Sequence, residues 1–195
     1  MDPDGTLGNV VAYTGHRLLL DHPTEELIVR EMSGVLDRRS ASYGFGSLCW
    51  GADILWAERL LARAAELHVL LPCGERAFLR ASLAGPGVSW TARFWSVHER
   101  ATSVTIVGPP DSVSEAGYRE TADQVFAMAV AASEKRASTV SLVAVWDGES
   151  SRGVAGTAAD VAAWVAMGRD LDALDPHGAR YLPSLDEPDD DATPQ

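Results

Sequence analysis

Three short stretches of the chain combine small residues with side chains able to hold an anion or move a proton: Thr14-Gly15-His16-Arg17, Gly46 to Asp53, and Asp147-Gly148 through Thr157. In the first, Arg17 offers a planar fork of donors to a phosphate, and His16 offers a donor to a phosphate or a base. Each also has a plainer reading, Arg17 as a surface arginine beside an acidic helix and His16 as a hydrogen-bonded structural residue. In the second, Gly46, Ser47, Gly51 and Ala52 carry little or no side chain. A ligand can therefore approach the backbone, where the N–H groups that open the following helix point outward. Asp53 is either a first-turn or capping residue of that helix or an acceptor for ribose hydroxyls. Glu58 is likewise either an acceptor for ribose hydroxyls or part of a solvated helix face. In the third, Gly153 and the pair Gly156-Thr157 lead into a second helix N-terminus suited to an anion, with Thr157 as a simple cap the alternative. Asp160, one turn further on, can face the same pocket as an acid or base.

For these stretches to meet, they must hang from one edge of a sheet. Asn9 to Tyr13 is a short apolar, β-branched run that reads as a first parallel strand. Tyr43 to Gly46 is a second, Leu67 to Pro72 a third, Ser103 to Val107 a fourth and Ser138 to Trp146 a fifth. Between them, apolar residues recur at helical spacing. The predicted helices run from Thr24 to about Arg39, from Asp53 to about Ala64, over Glu75 to Leu83, from Trp90 to Arg100, from Tyr118 to about Arg136 and from about Ala158 to Arg169. Trp90, Phe94, Val97 and Ala101 share one face of their helix and read as core rather than as a stacking platform for bases. The alternation predicts an α/β, Rossmann-like three-layer fold, a mostly parallel central sheet with helices on both faces. In such a sheet the three loops project from the carboxyl edge, where open α/β sheets bind ligands.

Composition narrows the function further. The 195 residues suit one sizeable α/β domain over residues 9–181, with an N-terminal lead at 1–8 and an acidic, solvated tail without fixed structure at 182–195. A net charge of −12 argues against long-range attraction to nucleic acid or anionic membrane, so any phosphate must be held locally. No apolar run approaches the ~20 residues of a membrane span, and no secretory signal is visible, so the cytoplasm is the expected location. Cys49 and Cys73 do not make a disulfide framework, and the five histidines lack metal-ligand spacing, so no metal and no cofactor are expected. Neither GxGxxG nor GxxxxGK[ST] is present. The only lysine, Lys135, lies at a helix end away from the three loops.

Taken in order, Thr14-Gly15-His16-Arg17, the segment Gly51-Ala52-Asp53-Ile54-Leu55-Trp56-Ala57-Glu58, the strand Leu67 to Pro72, and Trp146-Asp147-Gly148 followed by Gly156-Thr157 resemble the SLOG superfamily. That group takes in DprA/Smf-like proteins, the LOG proteins and domains found beside bacterial signalling and conflict effectors. The likeness spans roughly residues 9 to 170 and is nearest to the SLOG-type domains of signalling proteins. It implies a Rossmannoid fold that binds a nucleotide or nucleotide-derived ligand at the strand carboxyl ends. In the LOG branch the motif PGGxGTxxE carries a catalytic glutamate that cleaves the N-glycosidic bond of a nucleoside monophosphate. The matching residues here are Arg152 to Asp160: Arg stands for Pro, Val154 for the second Gly and Asp160 for Glu. The shorter carboxylate retreats by about one C–C bond, and Val154 restricts the loop, so binding is better supported than hydrolysis.

Three functions remain open at this point. The first is binding or sensing of a nucleotide, cyclic nucleotide or ADP-ribose-like molecule. The second is a nucleoside 5′-monophosphate phosphoribohydrolase in which Asp160 acts and Arg17 or Arg152 holds phosphate. The third is an interaction module with a vestigial pocket, in which Trp50 and Trp56 serve either a homodimer contact or the core.

Overall fold

In the computed structural model the described residues are 8–17, 22–82, 88–149, 155–177 and 180–182, with the side chains of 88 and 180–182 left aside. Except for Gly8 and Leu182, the expected lead and tail lie outside them. The strands β1, β3 and β5 follow from short β-branched or apolar runs, and the helices from apolar residues at helical spacing. In chain order the elements are β1 (Asn9–Gly15), α1 (His22–Arg38), β2 (Ala41–Gly46), α2 (Ala52–Ala62), β3 (Glu66–Leu71), α3 (Glu75–Ser82), α4 (Val88–Arg100), β4 (Ser103–Ile106), α5 (Glu115–Arg136), β5 (Val140–Val145), α6 (Thr157–Ala166), β6 (Leu171–Asp175) and β7 (Arg180–Leu182). The sheet order is β4-β3-β2-β1-β5-β6-β7. All neighbours through β6 pair in parallel, and β7 runs antiparallel to β6.

Both faces of the sheet are covered. Val11 and Tyr13 of β1 pack with α1, α2, α3 and α4 in one apolar cluster. Val10 and Ala12 pack with α5 and α6 in the other. Such alternation is the reason β1 has no polar face: all four side chains are buried. Trp90, Phe94 and Val97 are in the first cluster, as their spacing predicts, and so is Trp56, with no exposed surface. Trp50 is partly exposed, its ring 6.4 Å from that of Trp90 and tilted.

The first four strands progress in one direction across the sheet, after which α5 carries the chain back over the opposite face to place β5 beside β1. The strand order therefore reverses between β1 and β5. Loops leaving those two strands diverge to opposite faces and leave a crevice at their carboxyl ends.

Two strands, β6 and β7, were not anticipated in the sequence. The reason for β6 is physical: Leu171-Asp172-Ala173-Leu174-Asp175 carries two acids, and Asp172 is buried because Arg39 pairs with it from beyond α1. The same guanidinium reaches Asp170 at 2.9 Å, tying the start of β6 to the end of α1.

Candidate functional site

A cavity of about 420 Å³ opens at the point where the strand order reverses. Tyr13, Thr14 and Gly15 reach it from β1, and His16 and Arg17 from the loop that follows. Ser47, Cys49 and Asp53 approach from the β2–α2 connection, Ala155, Gly156, Thr157 and Asp160 from the start of α6, and Tyr118, Thr121, Ala122, Val125 and Phe126 from α5. The three loops singled out in the sequence thus do meet, and α5 closes the fourth side.

The backbone that makes this possible is built from small residues. Gly51 precedes α2 with φ 94°, a left-handed value that side chains rarely adopt, and contributes no side-chain cap. Ala52 N–H then donates to His16 C=O at 3.1 Å, fastening the start of α2 to the β1 loop. A Cβ on Gly15 would stand 2.3 Å from that of Ala52, so this junction closes only around a glycine. Gly46 lies against the ring of Tyr13 in the same way. Gly46, Gly51 and Ala52 are therefore behind the cavity wall, shaping it rather than lining it, whereas Gly153 lies outside the described residues. Gly156, with φ 107°, opens α6 without a side-chain cap, and both it and Thr157 line the cavity.

Two carboxyls face this space in different states of satisfaction. Asp160 Oδ2 accepts from Thr14 Oγ1 and its Oδ1 from Arg119 Nη1, both at 2.9 Å. Burial nonetheless pushes the Asp160 carboxyl up to about 6, against the pull of Thr14 and Arg119. Asp53 accepts from Cys49 N–H at 3.2 Å through Oδ2, with the Cys49 thiol also beside it, while its Oδ1 is buried with no partner among the described residues. Burial first, and Asp160 second, push Asp53 up to about 7, opposed by that N–H and by Arg17. The hydroxyls of Tyr13 and Ser47 are likewise buried and unpartnered.

Arg17 lies 5.9 Å over the ring of Tyr118, whose hydroxyl shares a 2.8 Å hydrogen bond with Ser82. His16 Nε2 is 3.1 Å from Asp147 Oδ1, which fastens the β1 loop to the β5 loop. Desolvation and the charge of Asp53 push the Cys49 thiol up to about 12, so it is a protonated wall residue and a poor nucleophile. Glu58 is neither free nor at the cavity: Arg93 holds both its oxygens, at 2.8 and 2.6 Å. Sequence reasoning missed the α5 wall and Arg119. The signal was an i, i+3/i+4 run, Tyr118, Thr121, Ala122, Val125, that a buried helix face produces equally well. Among the described residues no group of three or more His, Cys, Asp or Glu is placed to hold a metal ion, and no helix is long and apolar enough to cross a membrane.

No family model matches the chain, and no curated protein matches it. Among solved structures it is similar to one described as the X-ray structure of DNA processing protein A (DprA) from Streptococcus pneumoniae, with 13% identity and a TM-score of 0.33. That similarity covers 84% of this chain and 58% of the DprA chain, so the protein spans little more than half of that structure. The fold assignment rests on the chain's own sheet order and helix layers: a three-layer, Rossmann-like α/β architecture.

Proposed function

We propose that the cavity at the β1–β5 crevice binds a nucleotide or nucleotide-derived small molecule. The observation that carries this reading is the set of buried, unpartnered polar atoms on residues lining one cavity: Tyr13 OH, Ser47 Oγ and Asp53 Oδ1. Buried polar atoms are almost always satisfied, and each orphan costs about 1–3 kcal/mol. A polar ligand at the crevice recovers that cost. The uncapped start of α6 and the guanidinium of Arg17 suit an anionic group, and the Tyr118 and Phe126 rings offer a flat apolar wall for a base. The size of the cavity matches a small-molecule site.

The test is thermal stability against a panel of 5′-AMP, ADP-ribose, cyclic nucleotides and NAD. A ligand at a hundred times its Kd adds about 2.7 kcal/mol, or a rise in Tm of about 5–10 °C for a chain of this size. No shift with any member at millimolar concentration overturns the reading.

A second reading, N-glycosidic cleavage of a nucleoside monophosphate, is favoured by one observation: Asp160 faces the cavity with its orientation fixed from both sides by Thr14 and Arg119. A carboxyl held in this way is ready to accept a proton from an attacking water. Release of free base from 5′-AMP, lost in Asp160→Asn with binding retained, supports catalysis, while binding without base release leaves the site a sensor.

A further inference from the structure

The inner end of the cavity carries a donor problem rather than an acceptor problem. Asp53 is 6% exposed, and nothing among the described residues reaches its Oδ1. The charged and titratable groups that face it are Tyr13 from β1, Arg17 from the loop after β1, Cys49 from the turn before α2, and Asp160 from α6, with Tyr118 of α5 standing against Arg17 and Cys49. An ionised carboxylate in this position would draw in a donor. Two hydroxyls lie on the same cavity lining, that of Tyr13 close enough to feel its charge and that of Ser47, yet neither bonds to it or to any other described residue. Arg17, the cation that faces it, is engaged with Cys49 and lies over Tyr118. The second carboxyl across the same space adds repulsion to any ionised state.

We propose that Asp53 works as a neutral acid whose Oδ1–H, together with the Tyr13 and Ser47 hydroxyls, donates to an oxygen acceptor on the ligand. This end of the site then selects phosphoryl or carbonyl oxygens and rejects ammonium groups, and ligand binding retains a proton on the protein. An anionic ligand beside Arg17 reinforces that state, because it offsets the one positive charge that favours ionisation. The ligand half of the inference rests on the nucleotide-binding reading, whereas the neutral acid does not.

Two measurements test it. In the ligand-free protein, the side-chain carboxyl carbon of Asp53 is followed by NMR against pH and assigned by its loss in Asp53→Asn; a midpoint near 7 is expected. Affinity for 5′-AMP is then measured by calorimetry from pH 5.5 to 8.5 on the wild type and on Asp53→Asn, whose amide keeps a donor and cannot ionise. Above the midpoint the wild type is expected to weaken by about tenfold per pH unit relative to the variant, and taking the two together cancels the titrations of Asp160 and of the phosphate. Adenosine in place of 5′-AMP tells a phosphoryl acceptor, which it lacks, from a sugar or base oxygen, which it keeps. A carboxyl midpoint below pH 5 overturns the proposal, as does wild-type affinity that rises with pH while Asp53→Asn binds tenfold worse. If 5′-AMP binds at no pH, the nucleotide reading fails and the NMR midpoint alone decides the state of Asp53.

Discussion

Two of the arginine–carboxylate clusters on this fold are finished to different degrees. On the outer side of the α1–α4 layer, Arg93 donates to both oxygens of Glu58 and to Glu25 Oε1 at 2.9 Å, with its guanidinium 4.4 Å over the Trp90 ring. That cluster joins α4 to α2 and α1, and the cation is matched by two acids. In the crevice between β1 and β5, Arg17 and Arg119 stand near Asp53 and Asp160, yet Asp53 Oδ1, Arg119 Nε and two hydroxyls are left without partners. A chain that completes one such network at a helix interface has the residue types to complete the other. The incomplete one lines a cavity, and a ligand of the kind proposed above would supply its missing partners.

The comparison breaks most severely at Gly51. Placing a branched side chain at φ 94° strains the backbone by about 1–3 kcal/mol, and the residue is buried where α2 meets the β1 loop. Gly51→Val is expected to lower Tm by about 5–10 °C and to abolish binding of 5′-AMP, read by thermal melts and calorimetry. Arg93→Ala should cost a similar or slightly smaller amount, about 1–2 kcal/mol, because it leaves two partly exposed carboxylates unpaired. It should leave ligand affinity within twofold, which makes it the control that separates the two clusters.

Asp53→Asn is expected to move stability the other way. The folded chain holds the Asp53 proton more tightly than the unfolded chain, so wild-type stability falls as pH rises from about 4 through about 7. The amide escapes that loss. Urea melts should show a gain on the order of 1–2 kcal/mol at pH 8 that fades toward pH 4. Arg17→Ala has the smallest effect on the fold, with Tm near wild type, while Kd for an anionic ligand weakens about tenfold or more as a charge-assisted contact is lost. Equal affinity in Arg17→Ala and wild type would place the anion elsewhere in the cavity.

Much of the architecture is legible in the residues because both of its periods are strong. Val10 to Tyr13 is an unbroken apolar run and Val140 to Val145 is interrupted only by the buried Ser141, a pattern that a doubly covered strand needs. The stripes of α1 and α4 have few competing readings. The β6 strand is hidden by Asp172, whose burial depends on Arg39, 133 residues away in the chain. The same limit applies to the site. Its loops stand out because small residues at strand ends are unusual, whereas the α5 wall does not, because a helix face turned toward a cavity has the same stripe as one turned toward a core. Glu58 was open to two readings and belongs to neither, since Arg93 comes from another helix.

The long return of the chain over α5 has a consequence for how the protein is made. β1 pairs with β2 on one side and β5 on the other, and β5 is synthesised roughly a hundred residues after β2. At ribosomal speeds of about 5–20 residues per second, the second edge of β1 waits on the order of 5–20 s for its neighbour. During that interval a nascent half-sheet of β1 to β4 presents the unpaired backbone edge of β1, an open template for stray strands. Closure of that edge by β5 thus comes before the cavity's last wall, the start of α6, so a translating ribosome that stalls before residue 140 leaves a fragment with an open edge and without the Gly156 to Asp160 side of the cavity.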